Sequence, residues 1–123
     1  MEISFTIPGQ PIPKGRPRIG RGGHVFTPKR TTQFEDRVKL FAAIARVAPL
    51  SGPLYVDTAF YLKDSRRMDG DNLQKAVLDA LNGIAYVDDS QVAQGKWSKH
   101  LDKKNPRTVV TLGALAEDSF KQD

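Results

Sequence analysis

Cysteine is absent from the sequence, and only two histidines occur in its 123 residues. The lack of cysteine excludes disulfide bonds and thiolate metal sites. His24 and His100 lie far apart and do not have the spacing of a zinc site. A metal ion bound by this chain would therefore be one that accepts oxygen ligands.

Long apolar runs and a basic leader are also missing. The longest mostly apolar run, residues 40–50, is interrupted by Arg46 and is far shorter than the ~20 residues that a bilayer span needs. Met1 and Glu2 do not begin the basic region of a signal peptide. These observations predict a cytoplasmic protein without a membrane partner.

Motifs for nucleotides and for calcium are absent as well. No glycine-rich loop matches a nucleotide-binding fingerprint, so no nucleotide cofactor is expected, and no serine lies in a nucleophile elbow. A calcium-binding loop that began at Asp69 would need glycine at its sixth position and glutamate at its twelfth. The chain has Gln74 and Ala80 there, which excludes that motif.

Positive charge exceeds negative charge, and the two are unevenly distributed. The net charge is +5, with nine Lys or Arg against three acids in residues 1–50 and one against five in residues 68–95. An acidic segment within a basic chain favours a polyanionic partner held by the periphery and cation-dependent chemistry at the centre. A solvated basic surface without a specific partner is the alternative interpretation.

The apolar pattern predicts a single α+β domain in the order βαβαββ, with a mixed sheet of about four strands and two helices. Proline and glycine exclude a helix from residues 8–28, where a short hairpin could close at Gly22 and Gly23. Strands are predicted at residues 2–7, 54–62, 91–100 and 108–112, and helices at residues 32–48 and 71–82. The domain is expected to span residues 1–113, followed by a polar tail at residues 114–123.

Both predicted helices have signals at their ends. Thr32 and Glu35 have the spacing of a capping box, which would begin the first helix. In the second helix, Asp69 or Asp71 can cap the N-terminus, and Gly83 suits the left-handed residue that closes a helix.

Acidic residues flank the second helix. Asp69 and Asp71 stand at its start, and Asp88 or Asp89 follows its far end after a short return. If the chain folds back so that these side chains meet, three carboxylates would present hard oxygen ligands suited to Mg²⁺ or Mn²⁺. Such an ion could polarise a phosphoryl oxygen and generate a hydroxide nucleophile. The alternative is that the acids serve only as helix caps.

Lys75 follows Asp71 by one helical turn and precedes Asp79 by another. Its ammonium could form an ordinary ion pair with either acid. It could instead stabilise the negative charge that develops on a phosphate during cleavage.

Cations also recur in the proline-rich arm, residues 8–28, and in the charged turn at residues 63–67. With this spacing several of them could follow a phosphate backbone without base contacts. The predicted DNA-binding residues are Lys14, Arg16, Arg18, Arg66 and Arg67.

These segments together resemble a known family. Residues 69–75 (DGDNLQK), 79–83 (DALNG) and 88–92 (DDSQV) closely resemble the RusA family of Holliday junction resolvases, found in bacteria and their phages. The start at residues 11–18 (PIPKGRPR) is similar to that of phage-type members. The resemblance covers about residues 1–112.

The resemblance implies a small homodimeric endonuclease that needs Mg²⁺ and cuts paired strands at four-way DNA junctions. It implies metal ligands at Asp69, Asp71 and Asp89, with Asp88 as a substitute or supporting residue, and an essential lysine at Lys75. A two-fold dimer suits a four-way junction because symmetry-related sites can nick two opposed strands.

The sequence thus leads to the hypothesis of a metal-dependent, structure-selective endonuclease that acts in DNA recombination and repair. One alternative is a basic DNA-binding module without catalysis, in which the acids are caps. The other is a general nuclease for flaps or other branched DNA. Cleavage of a four-way junction, a fork and a linear duplex distinguishes all three.

Overall fold

The computed structural model describes residues 2–64 and 67–116 of the chain. Its central strand, β4 (Leu54–Leu62), alternates between buried and half-buried residues along its whole length. This is the period of a strand that buries one face. The predicted inward set, Leu54, Val56, Thr58, Phe60 and Leu62, is buried. Each large apolar member contributes about 1.5–3 kcal/mol by burial.

Strands on both sides of β4 complete a mixed sheet of five strands. β1 (Glu2–Pro8) pairs antiparallel with β7 (Arg107–Ala114), and β7 pairs antiparallel with β4. On the other side of β4, β5 (Val92–Gln94) and β6 (Trp97–Leu101) both run parallel to it, one after the other. The predicted α+β class is therefore confirmed.

The predicted strand at residues 91–100 is two strands, which is why the sheet has five strands and not about four. Gly95 lies in the break between β5 and β6, where a Cβ would approach the Gln74 side chain and the Val56 carbonyl oxygen to 3.1 Å. At this break the side chain of Gln74 donates to the carbonyls of Val56 and Lys96.

Helix α2 (Gly70–Leu81) agrees with its prediction within one residue at each end. Its apolar face is buried, and Gly83 has the predicted positive φ, at 81°. Of the two candidate caps, Asp69 is the one used, since its side chain accepts the backbone N–H of Asp71. Helices α1 (Lys29–Ile44) and α2 are the two α-helices of the described part of the chain, and they pack against each other.

Helix α1 (Lys29–Ile44) begins three residues earlier than predicted and ends earlier too. The predicted capping box is wrong, because Pro28 occupies the N-cap position and the Thr32 hydroxyl donates to the Lys29 carbonyl inside the first turn. Thr31 is buried, and its hydroxyl accepts the backbone N–H of Gly15 at 2.9 Å. The residues that extend α1 at its start therefore contact the proline-rich arm.

The proline-rich arm lies along the helices and carries the predicted hairpin. β2 (Arg18–Ile19) pairs antiparallel with β3 (Val25–Phe26). Gly22 and Gly23, between these strands, have φ angles of 78° and 79°, which favour glycine. The backbone N–H of Lys14 donates to the Asn72 carbonyl at 2.8 Å, which fixes the arm to the first turn of α2.

Two further observations concern the limits of the chain. Among the described residues, neither helix combines the length and the apolar composition that a bilayer span requires. β7 runs to Ala114, one residue past the predicted domain end. Most of the predicted polar tail, residues 117–123, lies outside the described residues.

Candidate active site

Two carboxylates stand at the start of α2. Asp69 is the N-cap, and its Oδ1 accepts the backbone N–H of Asp71 at 2.9 Å. Both residues are exposed. The N-terminus of a helix carries partial positive charge, so it stabilises the two negative side chains without neutralising them.

A tryptophan holds the second carboxylate. The Nε1–H of Trp97, on β6, donates to Oδ1 of Asp71 at 2.9 Å. The indole lies against Gly70, where a Cβ would stand only 2.4 Å from its Cζ3 atom. Gly70 therefore lets the indole reach Asp71, and Trp97 fixes the orientation of that carboxylate.

Lys99, also on β6, supports the chain just before the start of α2. Its ammonium donates to the Met68 carbonyl at 2.8 Å and lies 5.9 Å from the centre of the Trp97 ring. Because Met68 directly precedes Asp69, Lys99 ties β6 to the residue before the helix cap. The carboxylate pair thus rests on β6 and on the first turn of α2.

A magnesium ion fits this pair chemically. Mg²⁺ prefers hard oxygen ligands and is usually bound by one or two carboxylates, with waters and substrate phosphates completing the coordination. Asp69 and Asp71 supply two carboxylates in one turn. Among residues 2–64 and 67–116, no three His, Cys, Asp or Glu side chains form a group that could hold a metal ion. A site in one chain would therefore depend on this pair.

The other predicted ligands lie beyond the far end of α2. Asp88 caps a short 3₁₀ turn at Asp89–Gln91, and its Oδ2 accepts the backbone N–H of Ser90 at 3.1 Å. Hydrogen bonds from Ser90 lower the pKa of Asp88 below its ordinary value. Asp88 is thus a capping residue in a single chain.

Asp89 stands near the second half of α2. The hydroxyl of buried Tyr86 donates to the Leu78 carbonyl at 2.6 Å, and burial raises the pKa of Tyr86, assisted by the charge of Asp89. From Asp71 to Leu78 the helix rises ~10 Å. Asp89 does not form a metal-ligating group with Asp69 and Asp71 in one chain, so its assignment as a ligand stays a prediction.

Two lysines surround Asp79 in the second half of α2. Lys14 Nζ lies 3.1 Å from Asp79 Oδ2 and 3.2 Å from Glu35 Oε2, and its side chain is 21% exposed. Lys75 Nζ lies 4.0 Å from the same Asp79 oxygen, but its side chain is 61% exposed. Of its two predicted partners, Asp71 and Asp79, Lys75 therefore pairs with Asp79. The pair is long and exposed, so the ammonium group is accessible to a ligand.

The Lys14 ammonium is engaged within the protein. Partial burial acts to lower the pKa of Lys14, but hydrogen bonds to Asp79 and Glu35 outweigh burial, so the pKa is raised. Lys14 carries its charge at neutral pH, and this charge is largely neutralised by two carboxylates. Its assignment as a DNA contact stays a prediction.

The predicted cations Arg16, Arg18 and Arg67 are exposed. Arg16 lines two cavities, one shared with Lys14, Asn72 and Lys75, and one shared with Arg18. Arg66 lies outside the described residues. The arm therefore brings the exposed guanidinium group of Arg16 alongside the first half of α2.

Sequence reasoning missed Trp97, Gly70 and Lys99. Trp97 is the single tryptophan of the chain, and Gly70 separates the two acids, so both were visible. Neither feature indicates that the indole meets Asp71, because the two residues are joined only when β6 pairs with β4.

Comparison with known proteins identifies a matching family and similar proteins. The sequence matches the family described as Endodeoxyribonuclease RusA over residues 8–113, a range that includes every predicted site residue. The Uncharacterized protein YqaN of Bacillus subtilis (strain 168) is 33% identical, over 89% of this chain and 94% of that protein. The Crossover junction endodeoxyribonuclease RusA of Shigella sonnei (strain Ss046) is 26% identical, over 94% of this chain and 97% of that protein.

A small α+β domain with paired acids at a helix start and a basic arm is therefore matched by an endodeoxyribonuclease family along most of its length. The chain belongs to the RusA endodeoxyribonuclease family. The resemblance drawn from the acidic segments of the sequence is confirmed.

Proposed function

We propose that this protein is a divalent-metal-dependent endonuclease that resolves four-way DNA junctions by paired strand nicking, in DNA recombination and repair. The observation that carries the proposal is the exposed pair Asp69 and Asp71 at the start of α2, beside the cationic arm, in a chain of this family. A helix cap alone needs one acid, whereas the second acid is oriented by an indole from another strand.

Each residue near the pair has a proposed role. Asp69 and Asp71 would hold Mg²⁺, or Mn²⁺, with water and a DNA phosphate completing the coordination. When bound, the ion supplies Lewis-acid chemistry and lowers the pKa of a bound water. Trp97 orients Asp71, and the Lys75 ammonium stabilises negative charge that develops at the scissile phosphate. Arg16, Arg18, Arg66 and Arg67 bind the DNA backbone.

Paired nicking is proposed to come from a homodimer, because a two-fold dimer presents two equivalent sites to two opposed strands. Asp89, which does not join Asp69 and Asp71 in one chain, belongs to the same centre only across that dimer. Mixed dimers of Asp71→Asn and Asp89→Asn chains test this arrangement. A shared centre leaves one intact site and one-strand nicking, whereas centres within single chains leave none.

The function is tested with a four-way junction, a fork and a linear duplex of shared sequence, at one salt concentration, with Mg²⁺ or with chelator. We expect cleavage of the junction only with Mg²⁺, and cleavage of the fork and duplex at least about tenfold slower, equivalent to ~1.4 kcal/mol. Retarded junction without product would instead identify a non-catalytic binding module. Equal rates on the junction and the fork would identify a general branched-DNA nuclease.

A cruciform plasmid tests the pairing of the nicks. Two nicks made within one binding event convert the supercoiled plasmid directly to a linear product. Independent nicks give nicked circles first, which would contradict paired action by a dimer.

A further inference from the structure

A cavity of about 520 Å³ lies between the basic arm, the start of α1 and Met68. Its lining includes Arg16, Arg18 and Arg30, with no acidic residue from the described part of the chain, and we refer to it as the arginine pocket. Within residues 2–64 and 67–116 none of these three arginines forms an ion pair. Three unpaired guanidinium groups repel one another, so an anionic occupant would be stabilised there.

The floor of the arginine pocket is apolar. Ile12, Pro13 and Pro28 contribute to it, together with Met68, which is 7% exposed. A phosphate ion would be bound by the arginines alone and gains nothing from this floor. A nucleotide can use both parts of the pocket, because its base has apolar faces and its phosphate is negatively charged.

The pocket is placed to receive that nucleotide from a DNA strand. Met68, in its lining, directly precedes Asp69, and Arg16 also lines the cavity that contains Lys75. Residues 3–34 hold six Lys or Arg and no acid. This excess extends well beyond three arginines and suits a chain of phosphates better than a free small molecule.

We infer that the arginine pocket binds one unstacked nucleotide of the DNA strand whose scissile phosphate lies at Asp69 and Asp71. The inference rests on the proposed function. Its base lies on the apolar floor, and its flanking phosphates are bound by the arginines, whose planar groups also stack on bases. The pocket thereby adds a base-sensing site next to the acids.

Such a site would contribute to structure selectivity. A base inside an intact duplex must be unstacked and unpaired before it can enter a pocket, and this cost is smallest where pairing is already interrupted. A branch point is such a position. The pocket therefore favours branched DNA over linear duplex even without reading a particular base.

The test uses junctions that carry 2-aminopurine at one position at a time near the branch point, in chelator, with the full-length protein at saturation. The fluorescence of this base increases when it leaves the stack, and none of the described residues that line the pocket is aromatic and able to quench it. We expect a several-fold increase at one position beside the cleavage site. The Arg18→Ala/Arg30→Ala variant should lose this increase even when a gel shift shows a saturated complex.

A matched variant, Arg21→Ala/Lys29→Ala, removes two exposed cations of the same segment that do not line the pocket. Both double variants should reduce the slope of log affinity against log salt by about two. Only the matched variant should keep the fluorescence increase. An increase that persists in Arg18→Ala/Arg30→Ala, or is absent at every position of a saturated wild-type complex, would overturn the inference.

Other outcomes separate the pocket from the proposed function. The fluorescence increase without cleavage in Mg²⁺ would overturn the proposed nuclease and leave the pocket standing. Cleavage without the fluorescence increase would overturn the pocket and leave the proposed nuclease standing. Failure to bind the junction would overturn both. A change of oligomeric state in Arg18→Ala/Arg30→Ala, seen by light scattering, would assign the pocket to a second copy of the chain and refute the inference.

Discussion

The two halves of α2 carry the same kind of acid in different surroundings. Asp69 and Asp71, in the first half, accept hydrogen bonds from a backbone N–H and from the indole of Trp97. Asp79, in the second half, lies within 4.0 Å of two lysine ammonium groups, those of Lys14 and Lys75. One pair of acids is held by neutral donors, and the other acid is held by cations.

This difference decides which acids can attract a metal ion. A neutral donor orients a carboxylate and leaves its net charge in place, whereas a lysine ammonium cancels that charge. The helix dipole acts in the same sense, because it stabilises acids at the N-terminus and disfavours them towards the C-terminus, where Asp79 needs its lysines. Negative charge on α2 is therefore available at the helix start.

The largest expected effect comes from replacing aspartate by asparagine in the first half of α2. The same replacement in the second half is its control. Asp71→Asn should reduce junction cleavage about a thousandfold, equivalent to ~4 kcal/mol, because it removes a proposed metal ligand. Asp79→Asn should reduce cleavage far less, since Asp79 pairs with lysines. Single-turnover cleavage in Mg²⁺ measures both rates, and gel shifts in chelator check that both proteins still bind the junction. Similar losses from the two substitutions would contradict the distinction between the halves.

A smaller effect is expected from Trp97→Phe, which keeps an aromatic ring near Gly70 and removes the N–H donor to Asp71. Loss of a residue that orients a metal ligand typically costs about 10–100-fold in metal affinity or activity. Cleavage by the variant should therefore need a higher Mn²⁺ concentration, and its rate should return to the wild-type value at saturating Mn²⁺. A loss that stays constant at all Mn²⁺ concentrations would show that Trp97 acts by packing alone. Mn²⁺ titration in the absence of DNA gives a second measure of affinity.

Lys14 tests the cation-held half. Lys14→Met should lower the free energy of unfolding by about 1–3 kcal/mol, because it removes the ammonium group beside Glu35 and leaves Asp79 with the more distant, exposed Lys75. Arg16→Met, the control in the same arm, should weaken DNA binding with little change in stability. Urea denaturation measures the first effect and salt-dependent gel shifts the second. Equal stability of the two variants would show that the Lys14 ion pairs are of no consequence.

The pH dependence of the Lys14 contribution has a definite sign. Since the folded state raises the pKa of Lys14, its contribution is complete below the ordinary lysine pKa and is lost as pH rises through the folded value. The stability difference between wild type and Lys14→Met should thus shrink only at strongly alkaline pH.

The local parts of this architecture could be predicted from sequence. The cap at Asp69, the positive φ of Gly83 and the buried face of β4 all depend on residues within one element and its immediate neighbours. The start of α1 could not be predicted, because Pro28 and the contact between Thr31 and Gly15 outweigh the capping-box spacing.

The contacts that define the site are long-range and were not predictable. The Trp97–Asp71 hydrogen bond needs β6 beside β4, and the Lys14 ion pairs need the arm to return to the carbonyl of Asn72. The sequence indicates an acidic segment within a basic chain. It does not distinguish a lysine directed at solvent from one directed at Asp79, because that difference depends on contacts between distant segments.

The smallest effects separate two adjacent acids beyond α2. Asp88→Ala removes the cap of the 3₁₀ turn and should lower the melting temperature in chelator. Asp89→Asn should raise the melting temperature slightly, because it relieves repulsion among the acids near Tyr86. The gain in the free energy of unfolding should be less than about 1 kcal/mol. Because the folded state lowers the pKa of Asp88, its contribution is present above the ordinary aspartate pKa and disappears as pH falls through the folded value. The difference between wild type and Asp88→Ala should thus vanish in strong acid. A fall in melting temperature for Asp89→Asn at neutral pH would instead assign Asp89 a structural hydrogen bond and remove the case for it as a ligand.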